Sequence, residues 1–145
     1  MNDARVTVRP ATDDDADRLA ALLTDEGYPA GASDITARLA QFGALGCHVL
    51  VAVAAGDVIG FVAMLVLPRF ESSEAFARIV TLVVDAGERE RGIGRLLMTA
   101  AEKTAAEAGA SFLEVTAGHH RPDARRLFES MGYDASVATY LRKRP

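Results

Sequence analysis

The sequence predicts an α/β fold of the α+β kind, with elements in the order β-α-α-β-β-β-α-β-α-β. Three observations carry that prediction. Residues 76–84 are β-branched and nearly continuous in apolar side chains toward their end, as in a strand covered on both faces. A charged, glycine-containing turn over 85–94 follows. Beyond it a helix places Ile93, Leu96, Leu97, Ala100, Ala101, Thr104 and Ala108 on one stripe. Third, the apolar runs 47–54 and 58–67 flank the short turn Ala55-Gly56-Asp57 and read as a hairpin.

The other elements follow in order. Residues 5–9 alternate as a first strand that Pro10 ends. Thr12 stands three residues before Asp15, a capping-box-like pair. Asp13, Asp14 and Asp15 load the start of a helix with negative charge that its dipole favours, so they read as capping groups and not as a metal site. Ala16, Leu19, Ala20 and Leu23 form that helix's buried stripe. Glycines and Pro29 over 27–31 break it, and Ser33 begins a second helix with Ile35, Leu39 and Phe42 at helical spacing. A polar loop over 68–75 with Arg69, Glu71 and Glu74 precedes the central strand and is expected to overhang the site. Residues 111–116 are a further strand and 117–121 a loop. Pro122 opens a last helix with Ala124, Leu127, Phe128 and Met131 as its stripe, Gly132 caps it, and a final strand is expected over 133–141.

At 145 residues the chain fits one domain with a real core. Its formal net charge of −4 gives no broad attraction to nucleic acid or to an anionic membrane. The lone Cys47 excludes an intrachain disulfide and leaves no zinc site to expect. The polar start and the lack of a long apolar run point to a soluble, cytoplasmic protein.

The turn at 85–94 carries the chemistry. A helix start has backbone N–H groups without partners and partial positive charge. Gly92 and Gly94 leave the backbone uncovered, and Arg89, Arg91 and Arg95 add charge around it. This combination suits a phosphate or pyrophosphate. A P-loop would need Gly-Lys-Ser/Thr, which is absent, and a dinucleotide fingerprint would need a third glycine where Leu97 stands.

What remains, Arg89-x-x-Gly92-x-Gly94 after a Val-rich strand, resembles the Q/R-x-x-G-x-G/A motif of the GCN5-related N-acetyltransferases, the GNAT superfamily. A second resemblance lies at residues 121–133, similar to the family's A-x-x-F-Y-x-x-x-G-F/Y segment. Ala124, Gly132 and Tyr133 match, while Leu127 and Phe128 replace the Phe-Tyr pair. The element order agrees as well. The resemblance implies the GNAT fold, a mixed and mostly antiparallel sheet flanked by helices, in one domain over 1–145.

The resemblance further implies acetyl-CoA as co-substrate, no metal, and direct transfer of acetyl to a primary amine. Acetyl-CoA would be held by Arg89, Glu90, Arg91, Gly92, Ile93, Gly94 and Arg95, by a backbone N–H of Val83 or Val84 at the thioester oxygen, and by Phe128 at the thioester end. Arg121 stands where relatives often carry an Asn on the cofactor, so it either binds a CoA phosphate or caps the sheet edge. Two departures stand out. Phe128 occupies the place of a proton-donating tyrosine, and Val80 that of a basic glutamate. The substitutes are His119, His120, Tyr140 and Glu74. The histidines follow a strand's C-terminal end and titrate near neutrality.

The leading reading is an N-acetyltransferase acting on a small amine, an amino acid, an aminoglycoside-like compound or a protein N-terminus, with dimers common among such enzymes. The alternative is a catalytically weak acyl-CoA-binding sensor or interaction module. Phe128 and Val80 favour the module, and the intact turn serves both.

Overall fold

The computed structural model describes residues 5–89, 91–116, 122–137 and 140–145. Its elements are β1 (Val6–Pro10), α1 (Ala16–Asp25, entered through a 3-10 turn at Asp13–Asp15), α2 (Ala32–Ala44), β2 (His48–Ala54), β3 (Asp57–Leu67), β4 (Ala75–Val84), α3 (Ile93–Glu107), β5 (Ala110–Val115) and α4 (Pro122–Ser130). They form one five-stranded sheet in the order β1-β2-β3-β4-β5. The first four strands pair antiparallel, and α3 crosses from β4 to a parallel β5. This is the mixed, mostly antiparallel sheet that the family resemblance implies.

Pro10 is the last paired residue of β1 and is tolerated there because β1 is an edge strand. The β2–β3 hairpin turns on Ala55 and Gly56 alone, since Ala54 pairs with Asp57. Both turn residues have positive φ, 51° and 84°, as a two-residue turn of primed type requires.

The apolar run of β2 serves two cores. Leu50, Ala52 and Ala54 face a cluster with Ile93, Leu97, Met98, Ala101 and Ala105 of α3 and Phe128 of α4. Val51, with Phe61 and Val83, faces Ala16, Leu19, Ala20 and Leu22 of α1 and Ile35 of α2. The sheet is thus covered on both faces, and its central strands need no polar alternation. On α3 the buried row is Ile93, Leu97, Met98, Ala101 and Ala105. Leu96, expected on that stripe, is 43 % exposed. The seam follows the i, i+4 row from Ile93, and Leu96 falls beside it.

The strand expected over 133–141 is absent among the described residues there. Tyr133 N–H closes back on Phe128 O at 3.0 Å, capping α4. Asp134 then accepts from the N–H of Ser136 at 2.8 Å and from its hydroxyl at 2.7 Å. This local Asx turn takes the hydrogen bonds a strand would have offered to a neighbour.

Two irregularities shape β4. Ala63 pairs with Thr81 and Met64 with Ile79, so Val80 is an extra residue, a β-bulge. Pairing with β5 ends at Ile79 opposite Val115, although β4 continues to Val84. From Val80 to Val84 the outer edge of β4 has no partner strand among the described residues.

Candidate active site

The unpaired edge of β4 leads into the turn and then α3. Asp85 N–H bonds Ile59 O at 2.8 Å, so at Asp85 the backbone faces β3. Alternation then turns the backbone of Val83 toward β3 and those of Val84 and Leu82 toward the open edge. Val83 O agrees with this, because a Cβ on Gly60 of β3 would stand 2.9 Å from it. Of the two candidate donors at the thioester, Val84 therefore has the N–H on the open side.

Asp85 anchors the turn. Its carboxylate accepts from Gly87 N–H at 3.0 Å and pairs with Arg18 of α1, which also donates to Val58 O at 2.9 Å. The Gly87 bond, with help from Arg18, holds the Asp85 carboxyl below the usual carboxylate range against the opposing effect of burial. Gly92 then adopts φ +78° as the residue before α3, and nothing lies within 4 Å of where its side chain would be. The first helical bond closes from Leu96 N–H to Gly92 O at 3.0 Å. By helix geometry the amides of Ile93, Gly94 and Arg95 point outward. Ile93 offers only its amide, since its side chain is buried in the core.

Two features of the turn differ from the sequence reading. The space over Gly94 is taken: a Cβ there would meet Leu127 Cδ2 of α4 at 3.0 Å. Glycine at 94 thus serves the approach of two helices, and Gly92 alone is open. The arginines are also partnered within the chain. Arg89 holds Glu26 at 2.9 Å, Arg91 holds Glu88, and Arg95 donates to the Ser130 hydroxyl at 2.7 Å. Arg95 alone of the three faces a neutral partner. Glu90 lies outside the described residues.

A cleft of about 710 Å³ runs from the bulge of β4 to α1 and α2. Val80 stands on its wall, 44 % exposed. Phe128 lines it as well, buried and edge-on to Tyr133 with ring centroids 5.9 Å apart. Tyr133 itself donates its hydroxyl to Glu102 at 2.7 Å, and burial, then that carboxylate, push its pKa up, so it holds its proton. Tyr140 lines the cleft, its ring 5.3 Å from the guanidinium of Arg78, which is paired to Glu114.

Glu74 does not reach the site. It precedes β4, six residues before the bulge, which at about 3.3 Å per residue is roughly 20 Å away. The loop 68–75 contributes nothing to the cleft for the same reason. His119, His120 and Arg121 lie outside the described residues. The sequence reading missed Arg38 of α2, Thr81, Thr116 and Arg142 as cleft residues. No carboxylate or histidine lines the cleft among the described residues, and none of their His, Cys, Asp and Glu side chains group as a metal site would need.

An anion-receptive helix start beside a splayed parallel pair is joined along β4 to an apolar cleft. The family model for the acetyltransferase (GNAT) family matches residues 15–133. No curated protein matches the chain. Among solved structures, the chain is similar to a ribosomal-protein-alanine N-acetyltransferase from Brucella melitensis biovar Abortus 2308, with TM-score 0.82, 23 % identity, and coverage of 97 % of this chain and 100 % of that one. A transcriptional regulator from Bacillus halodurans C-125 gives the same TM-score, identity and coverage. An aminoglycoside acetyltransferase, meta-AAC0020, from an uncultured soil metagenomic sample gives TM-score 0.76 at 20 % identity, over 96 % and 97 % of the two chains. Those likenesses bear on the fold, and the family match covers most of the chain with the turn and α4 inside it: this protein belongs to the GNAT acetyltransferase family.

Proposed function

We propose that the protein is an acetyl-CoA-dependent N-acetyltransferase, one cytoplasmic domain passing acetyl directly to the primary amine of a small molecule or peptide. The observation that carries this is the continuity of three features: the outward amides of α3, the open edge of β4 at Leu82 and Val84, and the cleft beyond the bulge. The diphosphate of acetyl-CoA sits at Arg89, Glu90, Arg91, Gly92, Ile93, Gly94 and Arg95, with Arg121 on a further phosphate. Arg95 keeps uncompensated charge for it, and Gly92 leaves it room.

Substrate acetyl-CoA brings a thioester. The amine nitrogen forms a bond to the acetyl carbon, the C–S bond breaks, and the thiol sulfur leaves with the electron pair. Val84 N–H donates to the thioester oxygen as charge grows there. An alkylammonium, with pKa near ~10, must first lose a proton. His119 or His120 receives it, directly or through water; the attacking nitrogen then sheds its second proton as the amide forms, and Tyr140 on the cleft wall passes a proton to the leaving sulfur and is reprotonated by that one. Phe128 packs against the thioester end without donating. A thiolate with pKa near ~8.5 leaves without a strong acid, so the Phe128 and Val80 departures are compatible with turnover.

The second reading, an acyl-CoA-binding module, draws on the lack of a carboxylate or histidine among the described cleft residues. Calorimetric titration with CoA tests the binding both readings share. Thiol release from acetyl-CoA with a panel of amines separates them, because only the transferase releases thiol in proportion to acetylated amine.

A further inference from the structure

The cleft's charge is one-sided. Arg38 enters its wall from α2 and Arg142 from the C-terminal stretch, and its remaining polar side chains among the described residues are neutral. Elsewhere arginines are spent within the fold: Arg9, Arg18, Arg78 and Arg89 each hold a carboxylate of this chain. Arg38 and Arg142 hold none among the described residues, and both are exposed. The other lining side chains are mostly aromatic and aliphatic, Tyr28, Phe42 and Phe61 among them.

Tyr140, two residues before Arg142, is stacked against the sheet. The Arg78 guanidinium lies 5.3 Å from the Tyr140 ring and 5.6 Å from the Phe76 ring, and Glu114 fixes it by a 2.6 Å ion pair. This stack ties the C-terminal stretch to the sheet at β4 and β5, and Arg142 follows two residues later.

Resting on the transferase reading, we propose that the acceptor is an amine with an apolar body and a carboxylate, an apolar amino acid in the simplest case, and that Arg38 and Arg142 bind the carboxylate. A guanidinium suits a carboxylate through paired N–H donors. An apolar body fills the aromatic walls. A polycationic acceptor such as an aminoglycoside meets two like charges and no carboxylate among the described lining residues, a mismatch that lowers its affinity.

The test uses the full chain with acetyl-CoA and three acceptors: phenylalanine, 2-phenylethylamine, which lacks only the carboxylate, and kanamycin. Arg38→Gln and Arg142→Gln should each lower the phenylalanine-to-phenylethylamine ratio of kcat/KM about tenfold, through KM, the scale of one charge-assisted hydrogen bond at a partly exposed site. Comparing ratios across variants cancels the difference in amine basicity and any general loss of folded protein. Arg38→Lys and Arg142→Lys should retain part of the ratio. An unchanged ratio, or turnover only with amines lacking a carboxylate, overturns the proposal. If no amine is acetylated, the transferase reading fails by itself, and N-acetylphenylalanine binding to the CoA-saturated protein decides this one. Binding weakened about tenfold in either Gln variant supports the carboxylate site, and no binding to the unaltered protein, or binding unmoved by the variants, overturns it.

Discussion

Gly94 separates the steric and electrostatic parts of the α3 site. A Cβ there meets Leu127 Cδ2 at 3.0 Å, but Leu127 is only partly buried and its end can turn. Gly94→Ala should cost under about 1 kcal/mol in packing, offset by the roughly 0.5–1 kcal/mol gained on replacing glycine within a helix. Gly94→Asp makes the same contact and adds a carboxylate at the helix start, which the dipole of the free protein favours by about 0.3–1 kcal/mol. Both variants should therefore unfold within a few degrees of the unaltered protein. Bound diphosphate changes the outcome. At about 6 Å and an effective dielectric of about 40, one like-charge pair costs ~1.4 kcal/mol, or tenfold in Kd. Two phosphate charges carry the loss toward a hundredfold. Calorimetric titration with CoA beside thermal unfolding reads both quantities. Gly94→Asp should lose ten- to a hundredfold in affinity while Gly94→Ala stays within a few-fold. Equal losses in the two would assign the effect to Leu127 packing, and no loss in either would remove the diphosphate from α3.

Three further expectations follow from the same geometry. Phe128→Tyr adds a hydroxyl to a ring that is buried yet on the cleft wall, so the fold should survive at a cost of about 1 kcal/mol and turnover should hold or rise; a variant that unfolds would show the ring has no access to the cleft. Turnover should rise with pH through an apparent pKa near ~6.5, because the base must be neutral to accept a proton, and His119→Ala with His120→Ala should remove that limb while CoA affinity stays; a persisting limb places the base elsewhere. Asp15 is buried and holds Arg9 through bonds of 2.8 and 2.9 Å, with Thr12 N–H donating at 2.8 Å. The Arg9 bond, against burial, lowers its pKa, so its stabilisation is present above the unfolded value near ~3.9 and is lost as pH falls below it. Asp15→Asn should cost about 1–2 kcal/mol at neutral pH, discounted for the half-exposed Arg9, and less in acid, and denaturant midpoints that move equally at both pH values would contradict this.

The sheet and the α3 turn were legible because their signals are local. A Val-rich run, a helix start with open glycines and an apolar stripe each sit within a few residues of one another. The capping role of Asp15 was legible for the same reason, although its bond to Arg9 was not. Where tertiary partners decide, the sequence was silent. Nothing near Gly94 announces Leu127, which lies more than thirty residues on, in α4. Leu96 and Met98 are both apolar, and only the angle at which α3 meets the sheet buries the second. The strand expected over 133–141 failed to an Asx turn at Asp134, a side-chain bond that apolar patterning does not register. Arg38 and Arg142 reach one cleft from positions about a hundred residues apart, and neither sits in a motif. Loop 68–75 drew attention by its polarity, yet the direction of β4 puts it at the far end of the strand.

The most direct test of the account is to incubate the protein with acetyl-CoA and a panel of primary amines, following thiol release and acetylated amine together. Amine-dependent release should be matched one for one by acetylated amine, and should fall in Gly94→Asp at CoA concentrations that just saturate the unaltered protein. Tight CoA binding with no amine-dependent release from any member of the panel would contradict it and leave an acyl-CoA-binding module in its place.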